Sequence, residues 1–333
     1  MRKIKGIIIN NTLIAKFVIC CVRVVFTILD KLIRSRKKQI LFTSYSGRQF
    51  SDSPKVIYDS LINDGRFEDY KFVWGLLEPE KFNFFGRSEK VKINSFRYFV
   101  MLCQSKVWIS NTSIERLFAY KKSKHIYINT WHGTPLKHLG KDENDSKYLV
   151  KNWYNNANFD LFTCSSEYDK KIFQRIFPKT PKSAFYEVGL PRNNELQDSL
   201  KSDGKEVKEK LYTHLKLDPQ KKTILYTPTF RDESNDRANQ LNERTLKNIS
   251  AKYNLLIRGH YFVNRKNKLH NDYYVDVTDF KNINDLYIGS DLLVTDYSST
   301  MFDYSILKKP IVLFVPDLEQ YVSNGCKMLE NTD

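Results

Sequence analysis

His132 stands in the run Thr130-Trp131-His132-Gly133-Thr134-Pro135, directly after the apolar, β-like stretch 126–130. Gly133 allows a tight turn or a close backbone approach to a ligand, and Pro135 stiffens the exit. His132 would then project from a fixed loop at a strand end, where a general base needs to be. A turn histidine bonded to a nearby carbonyl accounts for the same residues, and spacing alone leaves both readings open. Lys137 and His138 continue the cationic character of this loop.

Four further clusters have a similar make-up. In Gly189-Leu190-Pro191-Arg192-Asn193, Arg192 has the geometry to grip a phosphate, although a surface arginine would look the same. Tyr226-Thr227-Pro228-Thr229-Phe230-Arg231 ends a strand at Pro228 and offers Thr229 and Arg231 to an anion; it also reads simply as a strand-ending turn. Arg258-Gly259-His260 crowds two cations about a glycine, an arrangement that repels itself unless an anion joins it. In Thr295-Asp296-Tyr297-Ser298-Ser299-Thr300-Met301-Phe302-Asp303-Tyr304, a hydroxyl-rich turn leads into a helix, whose free N–H groups and dipole favour phosphate. Asp303 lies one turn after Ser299 and suits ribose hydroxyls, while Ser298 and Ser299 also fit an ordinary helix cap. The sequence shows no P-loop, no GxGxxG and no carboxylate-rich metal site. Cations and hydroxyls are therefore expected to hold phosphates without a metal or cofactor.

The elements that must position these clusters alternate. Strands are expected at 40–44, 70–75, 106–110, 126–130 and 159–164, with helices such as 54–63 and 167–177 between them. A polar stretch at 193–210 reads as a hinge, after which strands resume at 223–227, 254–258, 291–295 and 311–315. Repeated β–α alternation predicts an α/β fold: two doubly wound, mostly parallel domains facing a cleft. Ligands in such sheets bind beyond the carboxyl ends of the strands, where all five clusters fall. The expected division is 1–38 as a membrane-associated segment, 39–198 as the first domain and 199–333 as the second.

Residues 12–29 are strongly apolar apart from Lys16 and Arg23, and Asp30 follows at the same seven-residue spacing, so the charges share one helical stripe. A spanning helix would put Arg23 near mid-bilayer at a cost of about 3 kcal/mol. A helix in the headgroup plane avoids that cost and lets the basic run 34–38 meet anionic lipid. The alternative is an amphipathic helix packed on the first domain. Lys plus Arg exceed Asp plus Glu by 54 − 38 = 16, which calls for an anionic partner. Nucleic acid is not the expected one, because no aromatic–basic module is present. The five cysteines (Cys20, Cys21, Cys103, Cys164 and Cys326) form neither a disulfide framework nor a zinc pattern, and a cytosolic catalytic part is expected.

The runs 129–140 (NTWHGTPLKHLG), GLPRN, YTPTFR, RGH and TDYSSTMFDY, in this order, resemble the CDP-glycerol glycerophosphotransferase family, the teichoic acid primases and polymerases of Gram-positive bacteria. The resemblance covers the chain from about residue 40 and implies a GT-B-like pair of Rossmann-like domains docked on the cytoplasmic face of the cell membrane. It implies transfer of glycerol phosphate from CDP-glycerol to a hydroxyl of a lipid-linked acceptor, with release of CMP. His132 matches the general base, and Arg258 and His260 match the groups that hold the pyrophosphate and stabilise the leaving CMP. Trp131, His132, Gly133, Thr134, Pro135, Arg192, Pro228, Thr229, Arg258, Gly259, His260, Ser298, Ser299 and Asp303 match donor-binding positions. Family members usually continue past 311–321 by several helices, so a truncated second domain is expected. Alternatives are a CDP-ribitol donor, a GT-B glycosyltransferase for a capsule or wall polymer, and an inactive anion-binding membrane protein.

Overall fold

The computed structural model describes residues 11–83, 88–143, 147–229, 241–259, 273–316 and 318–319. The chain divides into two units, one made of 1–132 and 138–192, the other of 133–137 and 193–333.

The first helix, α1 (Thr12–Leu32), starts where the Asn11 side chain accepts from the N–H groups of Leu13 and Ile14. It packs on the first unit through Ala15, Ile19 and Phe26, with Phe26 stacked on Tyr120 at 4.9 Å and edge-on to Phe99 at 5.3 Å. The charged stripe flanks this buried seam. Arg23 Nε donates to the Phe118 carbonyl at 3.1 Å, the Lys16 ammonium lies over the Tyr148 ring, and Asp30 takes His125 Nε2 at 3.0 Å and Lys124 Nζ at 2.9 Å. The other side of the helix (Leu13, Phe17, Val24, Val25, Ile28, Leu32) is exposed. Packing against the domain, one of the two readings of this segment, is therefore observed, and it leaves an apolar face open.

His125 has its other ring nitrogen 2.7 Å from the Ser105 carbonyl, so Asp30 is the carboxylate that ties α1 to the amino-terminal ends of the strands starting at Ser105 and Ile126. Removing one partner of a buried pair strands the other. Asp30→Ala is accordingly expected to cost about 3 kcal/mol of unfolding free energy, measured by urea titration; an unchanged midpoint would show that the pair is dispensable.

In the first unit β1 (Arg36–Thr43), β2 (Lys71–Leu76), β3 (Ser88–Lys92), β4 (Ser105–Ser110), β5 (Ile126–Asn129), β6 (Leu161–Cys164) and β7 (Phe185–Glu187) form one parallel sheet in the order β3-β2-β1-β4-β5-β6-β7. Helices α2 (Asp52–Ile62), α3 (Phe96–Gln104), α4 (Tyr148–Asn156) and α5 (Glu167–Ile176) lie between the strands in sequence. Central strands buried on both faces give continuous apolar runs such as Ile40-Leu41-Phe42. Strand β3 has no counterpart among the expected strands because only Val91 of its five residues is buried. Cys103 and Cys164 are core thiols, each pushed up to about 12 by burial.

In the second unit β8 (Thr223–Thr227), β9 (Asn254–Ile257), β10 (Val275–Asp276), β11 (Leu292–Thr295) and β12 (Ile311–Leu313) are parallel in the order β10-β9-β8-β11-β12. The stretch 193–210, read as a hinge, is instead folded into α6 (Asn194–Ser202) and the start of α7 (Lys205–Leu215). Few apolar residues suffice there: Leu196 of α6 and Leu211 of α7 pack with Leu286, Tyr287 and Ile288 of α9 (Ile283–Gly289), which follows α8 (Glu243–Lys252) in the chain.

Candidate active site

Each sheet changes winding direction once. In the first unit that point lies between β1 and β4, in the second between β8 and β11. The carboxyl ends of strands at such points are where ligands bind in open α/β sheets, and the predicted residues are distributed around them.

In the first unit β5 ends at Asn129, whose side chain accepts from the Trp131 N–H at 2.9 Å and donates to the Thr112 carbonyl at 3.0 Å. The chain then turns through positive φ at Trp131 (52°) and Gly133 (145°). For tryptophan this conformation is unfavourable, and burial stabilises it. The indole is 4% exposed and sits among Trp153, Phe162, Phe173 and Phe177. Trp131 is thus an anchor of the turn, its ring committed to the core.

The anchored turn presents His132. Its ring stacks on Trp131 at 4.5 Å, and its Nδ1 lies 2.7 Å from the Asn111 carbonyl, just past β4. A carbonyl can only accept, so Nδ1 carries the proton and Nε2 keeps its lone pair. Burial lowers the proton affinity of His132 below the usual imidazole value, while the Asn111 carbonyl and Asp52 oppose the shift. The result is a neutral imidazole with a fixed tautomer. The sequence pattern left a turn histidine bonded to a carbonyl as the alternative to a base; that hydrogen bond is present, and it leaves Nε2 as the acceptor of the ring.

Arg192 is placed differently from a free phosphate grip. Its Nη1 donates to Asp52 Oδ2 at 2.8 Å and to the His132 carbonyl at 3.0 Å, and its backbone N–H donates to Ser53 Oγ at 3.2 Å. Asp52 also accepts from Tyr45 OH at 2.7 Å. Burial pushes the Asp52 carboxyl up, but Arg192, Tyr45 and Ser53 together hold it below the usual carboxylate range. Gly133 and Pro135 are buried, and Thr134 is half-buried.

In the second unit three clusters meet because their strands β9, β8 and β11 are neighbours. Beyond β8, the Thr229 N–H donates to both oxygens of Asp296 at 2.9 and 3.0 Å, and the Thr229 hydroxyl donates to Asp296 as well. Asp296, 3% exposed at the end of β11, clamps the Pro228-Thr229 turn. Beyond β9, Arg258 Nη1 donates to the carbonyls of Val277 and Phe280 at 3.0 and 2.8 Å, and the Gly259 N–H donates to Thr278 Oγ1. The carbonyls thus stabilise the Arg258 cation from one side. Past β11, the Ser298 hydroxyl pairs with that of Thr300 at the start of α10 (Thr300–Ser305), where Ser299 stands as the cap residue. Asp303 accepts from Asn193 Nδ2 at 2.9 Å, which orients its carboxylate. His260, Phe230 and Arg231 lie outside the described residues.

The model of the CDP-glycerol:poly(glycerophosphate) glycerophosphotransferases matches residues 25–330. The chain belongs to this family. The chain is 34% identical over 330 residues to the teichoic acid glycerol-phosphate transferase of Staphylococcus aureus, covering 94% of itself and 82% of that relative. It is 33% identical over 316 residues to the teichoic acid poly(glycerol phosphate) polymerase of Staphylococcus epidermidis, covering 90% of itself but only 43% of that longer protein. Among solved structures it resembles the wall teichoic acid polymerase TagF, with TM-score 0.80 and 32% identity over 93% of this chain and 78% of that one. A histidine-to-asparagine variant of TagF soaked with CDPG aligns with TM-score 0.81 and 31% identity, over 99% of this chain and 80% of that one.

Four residues with a part in the arrangement were not singled out from sequence: Tyr45, Asp52, Asn111 and Asp296. Asn111 and Tyr45 follow the expected strands 106–110 and 40–44 closely, so the strand-end rule pointed at them. Asp52 had no such signal, standing at the start of α2 beyond the Tyr45–Gly47 turn that follows β1.

Proposed function

We propose that the protein transfers glycerol phosphate from CDP-glycerol to a hydroxyl of a lipid-linked acceptor in teichoic acid synthesis, releasing CMP. The substrate class follows from the family; the observation that carries the chemistry is the His132 imidazole, held neutral with Nδ1–H on the Asn111 carbonyl and Nε2 as proton acceptor. In this reading the acceptor oxygen bonds to the β-phosphorus of the donor. The bond from that phosphorus to the bridging oxygen breaks, CMP leaves with the electron pair, and Nε2 takes the acceptor's proton. Charge grows on the phosphate oxygens, and Arg258, His260, Thr229 and Ser298 are assigned to it. Gly133, Thr134, Pro135, Pro228, Gly259, Ser299 and Asp303 are assigned to the remaining donor contacts, with Asp303 on the ribose. Trp131 and Arg192 shape the His132 turn. Incubation of the purified protein with CDP-glycerol and a lipid-linked disaccharide should release CMP and extend the acceptor; donor intact after many enzyme equivalents of time would overturn the assignment.

The same reading places the protein peripherally on the cytoplasmic face of the cell membrane. The open apolar face of α1 supports this, as does the basic run 34–38 that follows it. The charges that would be costly in lipid are already turned to protein partners. Replacing Phe17, Val24 and Ile28 by Ser should abolish flotation with phosphatidylglycerol vesicles while leaving the fold intact by circular dichroism. Undiminished flotation would remove α1 from the docking surface.

A further inference from the structure

We propose that Asp52 is a positioning residue of this reaction, holding the His132 turn in place through Arg192 and Tyr45. The proposal rests on the function assigned above and deepens it. Its basis is a closed circuit of hydrogen bonds. Tyr45 N–H donates to Asn111 Oδ1 at 2.8 Å, and the Asn111 carbonyl takes Nδ1–H of His132 at 2.7 Å. The His132 carbonyl takes Arg192 Nη1 at 3.0 Å, Arg192 donates to Asp52 at 2.8 Å, and Tyr45 OH closes the ring on the same Asp52 oxygen at 2.7 Å. Both ends of the His132 residue, ring and carbonyl, are thereby fixed by one loop of contacts.

Two features set Asp52 apart from an ordinary structural carboxylate. It opens α2 at φ 65°, a left-handed conformation that is strained for a residue with a side chain. Its side chain is 5% exposed and that of Arg192 12%. A buried ion pair is weak as a source of stability, because desolvation of both charges offsets their attraction. A strained, buried, charged residue contributes more to geometry than to folding. Among the described residues, the charged groups facing His132 are Asp52 and Arg192; Tyr45, edge-on at 6.0 Å, and Trp131 and Asn111 are neutral. Asp52 raises and Arg192 lowers the proton affinity of the ring. Neutralising Asp52 removes a charge that raises it.

Asp52→Asn keeps the size of the side chain and removes the charge. With CDP-glycerol as donor, kcat should fall about tenfold or more, since small misplacements of a reacting group are costly, with KM changed by less than about threefold. The acidic limb of kcat/KM should move to lower pH, which a merely structural loss would not do. Tyr45→Phe breaks the circuit without changing charge, so kcat should fall while the limb stays where it is. An unchanged limb in Asp52→Asn overturns the proposal, and so does full activity of Tyr45→Phe if Asp52→Asn does not fold. Should the wild-type protein release no CMP, the functional reading fails separately. The His132 Cε1–H titration by NMR then decides the positioning claim: a midpoint lower in Asp52→Asn than in wild type supports it, and equal midpoints sink it.

Discussion

His132→Ala should lower the rate of CMP release from CDP-glycerol by about a thousandfold, the range expected for loss of a general base, while the dissociation constant for CDP-glycerol changes little. The division between rate and affinity follows from position. Nδ1 is spent on the Asn111 carbonyl and the backbone carbonyl on Arg192, so the free valence is Nε2 alone. An imidazole held in that tautomer contributes in the transition state, when the acceptor's proton moves, and little to ground-state binding. Equilibrium binding of the donor to the variant and a single-turnover assay of the same preparation separate the two quantities.

The pH dependence has a definite sign. The ring works as a base only when neutral, so kcat/KM should fall as pH drops through its pKa. Burial lowers that value from the usual imidazole range, with the Asn111 carbonyl and Asp52 opposing and Arg192 assisting. The acidic limb should therefore lie at lower pH than that of an ordinary histidine, and it should vanish from the residual rate of His132→Ala. A residual rate that keeps the same limb would assign the titration to another group.

Much of this was legible in the sequence, and the reasons differ by element. The central strands announced themselves because parallel strands buried on both faces need unbroken apolar runs, as in residues 40–42 and 224–226. Strand β3 did not, because an edge strand with one buried residue carries almost no apolar signal. The helices after Arg192 read as a hinge because their buried side is narrow: Leu196 and Leu211 amid charged neighbours. The clusters stand out because each is a group of polar residues that follows a strand. What spacing could not give was the partner of each one. Trp131 looked like a ligand contact and is a core anchor; Arg192 looked like a phosphate grip and is tied to Asp52, a residue some 140 positions away. Long-range hydrogen bonds leave no periodicity in a sequence, so roles that depend on them emerge only with the fold.

Arg258→Ala should behave unlike His132→Ala, weakening CDP-glycerol binding by about a hundredfold as well as slowing the reaction. In the native protein two backbone carbonyls, of Val277 and Phe280, hold the guanidinium at the end of β9. That arrangement fixes a delocalised cation at a strand end where phosphate is expected, and a charge-assisted bond to an anion is worth roughly 2–3 kcal/mol. Such a contact acts on the donor's diphosphate before and during the reaction, so both the dissociation constant and the rate should suffer. Arg258→Lys tests the geometry separately from the charge. An ammonium can keep the net charge, but it lacks the planar fork that addresses carbonyls and phosphate together, so most of the affinity should stay lost. Isothermal titration with CDP-glycerol and with CMP reads both effects. If Arg258→Ala bound the donor as tightly as the wild type while losing turnover like His132→Ala, Arg258 would act on the leaving group only, and the diphosphate would have to be held by other residues of the β8 and β11 turns.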